Sequence, residues 1–192
     1  MARFKTKKQL KRKIFIFTEG KTEKMYFDAL RQPLSLANAK IKILEVSSTG
    51  IDLLNKATNQ MRNNPSFERD DQTDVILIFD KDNMSEHDFK KLDERIKREN
   101  MSVGFSNVSF EVWLLAHFEL LTTKIQEGSI LKQKLTNYLG QDYKKTDPKQ
   151  LKRMAFNYKV AIRNAKAVKE IDFYKQSTNI GVLIEQLKSS SS

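Results

Sequence analysis

Along the first hundred positions, short unbroken apolar runs alternate with longer stretches in which apolar residues recur at helical spacing. Ile14-Phe15-Ile16-Phe17 and Val75-Ile76-Leu77-Ile78-Phe79 are continuous runs of aliphatic and aromatic residues. Such runs suit strands buried on both faces, and hence a parallel sheet. Residues 41–46 and 101–105 predict two further strands. Between the first two strands, residues 19–32 place Met25, Tyr26, Ala29 and Leu30 on one helical face and stop before Pro33. Residues 51–62 do the same with Leu54, Ala57 and Met61, followed by Pro65, and residues 86–99 predict a third helix. This alternation specifies an α/β fold, in which right-handed crossovers stack helices on both faces of a mostly parallel, four-stranded sheet.

Beyond Ser106 the pattern predicts helices only, at residues 110–121, 130–139, 148–168 and 179–187. The stripe of Trp113, Leu114, His117 and Leu121 reads as core packing. The implied organisation is a basic flexible arm over residues 1–12, an α/β core over 13–121, a helical C-terminal region over 122–188 packed on that core, and a tail over 189–192. No internal repeat is present.

Composition narrows the chemistry. The chain has 192 residues with 35 Lys and Arg against 24 Asp and Glu, a formal charge of +11, so polyanions are its natural partners. It has no cysteine and two histidines, His87 and His117, which excludes a disulfide framework and thiolate sites and leaves little for zinc. Any bound metal would therefore be held by carboxylate oxygen. No apolar run approaches the roughly 20 residues that cross a bilayer, and the N-terminus lacks the apolar centre of a signal peptide; a cytoplasmic location without membrane contact is the expectation. The arm carries seven cations from Arg3 to Lys13 with no acid, and residues 144–175 carry ten Lys and Arg against Asp147, Glu170 and Asp172.

Gly20-Lys21-Thr22, between a strand and a helix, invites a phosphate-loop reading. That loop requires a glycine five positions earlier, and Phe15 stands there inside the strand. Carboxylates mark the same place instead. Glu19 ends the first strand and Glu23 lies one helical turn later, so both face one crevice. Asp80 and Asp82 leave the end of the third predicted strand with a spacing that lets two carboxylates flank one cation. Hard cations such as Mg²⁺ or Mn²⁺ prefer oxygen ligands and keep other positions for water and phosphate. Asp80-Lys-Asp-Asn83 is equally good turn and helix-capping chemistry, and Glu23 also suits a helix N-terminus. Glu111 stands in an apolar run where an unpaired charge would be costly. His117, six residues on, reads as a hydrogen-bonded core histidine.

These motifs carry a resemblance. The pairing of strand–Glu19-Gly20 with strand–Asp80-Lys81-Asp82 resembles the Toprim pattern of topoisomerases, primases and related nucleases. Glu19-Gly-Lys-Thr-Glu23 with Tyr26-Phe27, Phe79-Asp80-Lys-Asp82, and Ser106-Asn107-Val-Ser-Phe110-Glu111-Val-Trp113-Leu-Leu-Ala-His117-Phe118 together resemble the RloB family. Ala161-Ile-Arg163-Asn-Ala165 and Ser177-Thr178-Asn179 extend that likeness over about residues 12–188. Val108 departs from the proline usual in the family at that position.

The resemblance implies a small prokaryotic defence protein, found in abortive-infection or restriction loci beside an ABC-type ATPase, with a Toprim-like metal centre. On this chain Glu19, Asp80 and Asp82 would hold Mg²⁺ or Mn²⁺, and Glu19, Glu23 or Glu111 would serve in catalysis. Cationic walls for a nucleic acid would come from Lys21, Lys81, Lys152, Arg153, Lys159, Arg163 and Lys166. A metal-dependent nuclease, a non-catalytic nucleic-acid-binding adaptor of the ATPase, and an enzyme acting on a small phosphorylated molecule all share that crevice. The choice between DNA and RNA and the oligomeric state stay open at this level.

Overall fold

Strand β1 (Arg12–Thr18) sends Ile14 and Ile16 into one hydrophobic layer and Phe15 and Phe17 into the other, as the two-residue period of a strand requires. The structure is a computed structural model that describes residues 12–36 and 39–189; the basic arm up to Lys11 and the last residues of the tail lie outside the described residues. Arg12 and Lys13 belong to β1, where the Arg12 guanidinium meets Asp74 at 2.6 Å and Lys13 meets Asp70 at 2.9 Å.

Strands β2 (Ala39–Glu45), β3 (Thr73–Asp80), β4 (Ser102–Asn107) and β5 (Ser177–Thr178) complete a sheet of order β2-β1-β3-β4-β5. The first four are parallel and β5 runs antiparallel to β4. The sheet therefore has five strands rather than four, and strand structure does not end at Ser106. A two-residue strand far along the chain carries no periodicity, so the hydrophobic pattern could not mark it.

Helix α1 (Lys21–Leu34) covers the face of Ile14, Ile16, Ile76 and Ile78, with the C-terminal helices beside it. The opposite face, with Phe15, Phe17, Val75, Leu77 and Phe79, is covered by α2 (Gly50–Asn63) and α3 (Glu86–Arg98) through Leu53, Leu54, Phe89, Leu92 and Ile96. Pro33 lies inside the last turn of α1, so that helix runs past the predicted stop.

The C-terminal segments differ more. The helix expected at 110–121 is only α4 (Glu111–Leu115), after which Asn164 takes over the freed backbone groups. Its Nδ2 donates to the Ala116 carbonyl at 2.9 Å, and its own carbonyl accepts from the Leu121 N–H at 2.9 Å. Helix α5 (Gly128–Leu139) follows, and the long helix expected at 148–168 breaks at Asn157 into α6 (Pro148–Phe156) and α7 (Tyr158–Asn164) before α8 (Ile180–Ser189). Asn157, with φ −98° and ψ 18°, leaves helical geometry; its short polar side chain competes for backbone groups and favours such a break. His117 is buried, with Nδ1 on the Leu114 carbonyl and Nε2 facing the Tyr26 hydroxyl, each at 3.0 Å. The carbonyl can only accept, so Nδ1 carries the proton and Nε2 accepts from Tyr26.

The free edge of β4 is closed by one side chain as well as by β5. The Asn179 amide accepts from the Phe105 N–H at 2.7 Å and donates to the Val103 carbonyl at 2.9 Å, while its backbone N–H donates to the Phe105 carbonyl. The side chain thus stands in for a further residue of strand. Asn179→Ala leaves two backbone groups of β4 without partners and is expected to destabilise the protein by about 2 to 4 kcal/mol. Denaturant unfolding of the two proteins measures this, and a difference below about 0.5 kcal/mol would show that water replaces the amide without loss.

Candidate active site: a carboxylate crevice at the strand ends

Parallel pairing of β1 with β3 sets Thr18 beside Ile78 and leaves the residues that follow at one level. Glu19 continues the ladder, its N–H donating to the Ile78 carbonyl at 2.9 Å. Its Oε2 accepts from the Asp80 N–H at 3.2 Å. The chain departs from β1 into α1 on one face and from β3 into α3 on the other. That divergence opens the crevice where doubly wound sheets bind ligands.

Gly20 links Glu19 to α1. A Cβ at this position would stand 2.8 Å from Oε2 of Glu23, which folds back over it, so a side chain here would displace that carboxylate. Glu23 is buried, and its Oε2 has no hydrogen-bond partner. Glu111, in the first turn of α4, is 2% exposed. It accepts from the Tyr143 hydroxyl at 3.3 Å and meets the Lys145 ammonium at 3.1 Å.

The carboxylates perturb one another. Burial lifts the Glu19 carboxyl to about 7; the Asp80 N–H opposes this, and the charges of Asp82 and Glu23 add to it. Burial also raises Glu23, with Glu111 contributing, and holds Asp80 well above the usual carboxylate range, with Glu23, Glu19 and Glu111 adding to the effect. Burial would lower the Lys145 ammonium, but Glu111, Asp80 and Glu23 outweigh it and the net shift is upward. Glu19, Glu23, Asp80 and Glu111 therefore form one electrostatic unit with one nearby lysine. Such a unit relieves its repulsion by keeping protons or by taking a cation.

Asp82 stands on the open side of this group, where its charge reaches Glu19. It has φ 41° and is exposed. It lines a cavity of about 610 Å³ between the start of α2 and α3, with Gly50, Met84, Leu92, Lys91 and Arg95. The donors suit Mg²⁺ or Mn²⁺ in kind, being all oxygen, and the orphaned Glu23 Oε2 is a ready ligand. Among the described residues, however, no three acidic or histidine side chains are grouped so as to hold one ion.

The basic candidates divide. Lys21 is exposed in the first turn of α1, and Lys152 and Arg153 are exposed on α6. The Lys81 ammonium donates to the Phe173 carbonyl at 2.7 Å and lies over the Phe173 ring, tying the loop after β3 to the C-terminal segment. Lys159, Arg163 and Lys166 line a separate pocket beside α8. Sequence reasoning passed over Tyr143 and Lys145, which reach Glu111 from the loop after α5. A partner 34 positions away leaves no mark in local spacing.

The raised carboxyls make stability depend on pH. Between the ordinary value near 4.5 and about 7, the folded protein keeps a proton on Glu19 that the unfolded chain has released. Stability therefore falls as pH rises through this window, and the loss persists above it. Allowing for water that still reaches the Glu19 carboxylate, its share is roughly 1.5 kcal/mol, or about 3 to 6 °C in Tm. Melting curves at pH 5 and pH 8 in the presence of a chelator should show a smaller drop for Glu19→Gln than for the wild type; equal drops would mean that Glu19 titrates normally.

Among the described residues no helix is long and apolar enough to cross a membrane. No curated protein and no solved structure matches the chain. The family model for RloB-like protein matches residues 14–187, a span that contains most of β1, the Glu19–Glu23 turn, the Asp80–Asp82 loop, Glu111 and Asn179. With nearly its whole length matched, the chain belongs to the RloB-like family.

Proposed function

We propose that this RloB-like chain is a divalent-cation-dependent nuclease of Toprim-like type, with the carboxylate crevice as its centre, acting together with a partner ATPase. The observation that carries the reading is the gathering of Glu19, Glu23, Asp80 and Glu111 at the β1/β3 edge, where burial and neighbouring acids raise the carboxyls of Glu19, Glu23 and Asp80. Burying several acids together is costly, and a purely structural edge would have no need of them. Asp80 and Asp82, with Glu19 near, would hold Mg²⁺ or Mn²⁺, and a bound cation polarises a phosphodiester and stabilises the leaving oxygen.

The chain's own groups account for the rest. Glu19, with a pKa near neutrality, can take a proton from an attacking water and return it at the leaving oxygen. Glu111 is neutralised by Lys145 and held by Tyr143, which suits it to positioning Lys145 beside the crevice. The surface charge of +11 draws a nucleic acid toward an otherwise acidic centre. The partner ATPase is implied by the family resemblance and belongs in any assay, because a nuclease held inactive until its partner signals would be silent alone.

Two measurements test this. Calorimetric titration with Mn²⁺ should give heat with the wild type and at least tenfold weaker binding with Asp80→Asn; equal heats would place the cation elsewhere. With the partner ATPase and Mn²⁺ present, Glu19→Gln and Asp80→Asn should each lower phosphodiester cleavage by about 10²- to 10⁴-fold while leaving nucleic-acid binding nearly intact. Full defence by both variants in cells would sink the nuclease reading in favour of a non-catalytic adaptor.

A further inference from the structure

Four cations, Lys159, Arg163, Lys166 and Lys169, line one pocket of about 340 Å³ between α7 and α8, and Glu185 is the one acid in its lining. Lys169 has Glu170 at 4.0 Å. Among the described residues, no acid lies within 4.0 Å of the Lys159, Arg163 or Lys166 cations, and none of the three donates a hydrogen bond to another residue. Four like charges thus converge with Glu185 as the one acid in the lining, in a concavity rather than on an open helix face.

A second observation has the same sign. Gly181 and Val182, in the first turn of the ten-residue helix α8, line the same pocket. A helix N-terminus carries partial positive charge and backbone N–H groups without intrahelical partners. Thr178 joins the lining from β5.

The sheet fixes where this pocket lies. Thr178 pairs with Ser106, and Ser106 pairs with Asp80. Neighbouring strands are about 4.8 Å apart, so Thr178 is roughly 10 Å from Asp80 along the carboxyl edge. The pocket thus stands beside the carboxylate crevice, not within it, at a separation that a short stretch of one nucleic-acid strand spans.

We infer that the α7–α8 pocket is a phosphate-binding site that holds a phosphate group of a nucleic acid whose neighbouring segment lies at the carboxylate crevice. The identity of the strand as substrate rests on the proposed nuclease function; the affinity of the pocket for phosphate does not. Lys159 and Arg163, one helical turn apart on α7, clasp the group from one side, and Lys166 and Lys169 from the turn that follows.

The experiment uses the full chain in a chelator, so that no cation at the crevice contributes. A short single-stranded oligonucleotide is titrated at several salt concentrations, and inorganic phosphate is titrated separately by NMR. Arg163→Gln/Lys166→Gln should weaken oligonucleotide binding at least tenfold and reduce the slope of log affinity against log salt by about 1.4, the value for two lost contacts to a single strand. Lys159→Gln/Lys169→Gln should do the same independently, and Lys97→Gln/Arg98→Gln, in the last turn of α3 away from the pocket, should change neither quantity. The changed side chains are all exposed, and unaltered melting curves check that each variant is folded. Phosphate-induced shifts at residues 159–169 that vanish in the variants would show that the pocket takes free phosphate, whereas loss for the oligonucleotide alone would show that it needs the strand. Unchanged affinity and slope in both double variants would overturn the assignment. An absence of cleavage in a separate assay with Mn²⁺ and the partner ATPase would overturn the nuclease reading and leave this binding result standing.

Discussion

Strands β1 and β3 lie side by side in parallel, with β3 running two residues past the partner of Thr18, and that pairing governs the relations at the functional edge. Each strand is buried on both faces, Ile14 and Ile16 against α1 and Phe15 and Phe17 against the α2 side. The crossover helices must then leave in opposite directions, and no helix can roof the point of departure. Glu19 and Asp80 fall where the packing of two layers gives way to solvent. Their carboxylates are dry enough to shift, yet open to a ligand. Backbone geometry rather than side-chain complementarity brings them together, since the Asp80 N–H is itself a donor to Glu19.

A second relation joins the C-terminal third of the molecule to that edge. Lys145 and Tyr143 supply the cation and hydroxyl that accompany Glu111, and Phe173 receives Lys81. Phe173 also stacks on Phe105 at a centroid distance of 5.5 Å. The helical region therefore participates in the site's electrostatics and in the shape of the loop after β3. Its charge is distributed unevenly: one lysine faces the acids, while four cations gather beside α8. A protein of net positive charge thus presents an acidic centre and a basic pocket on one rim.

The central α/β architecture was legible because buried parallel strands need continuous apolar runs and their helices need period-3.6 faces, both of which are local signals. Glu19, Asp80 and Asp82 stood out as candidates because acids at the ends of apolar strands are conspicuous, Glu23 because it follows Glu19 by one helical turn, and Glu111 because it stands in an apolar run. The left-handed backbone angle of Asp82 left no mark in the sequence, since aspartate is common in turns of every kind. The breaks after Leu115 and at Asn157 were hidden, because Trp113, Leu114, His117 and Leu121 keep helical spacing whether or not the chain stays helical. The signals for those breaks lie in Asn164 and Asn157, polar residues whose effect depends on backbone groups brought near by folding. The same holds for β5, whose two residues pair with Ser106 and Asn107, far earlier in the sequence.

The closure of β4 sets an order on assembly. Phe105 waits for Asn179, 74 positions later, before its amide finds a partner, and long loops of this kind slow the arrival of native contacts. Until then the parallel sheet exposes an unpaired border next to Phe105 and Val103, an available template for a strand from another molecule. A nascent or proteolysed chain that stops between residues 107 and 176 carries this border permanently. Such fragments should self-associate through β4, and the segment around Asn179 serves the intact chain as a guard against polymerisation.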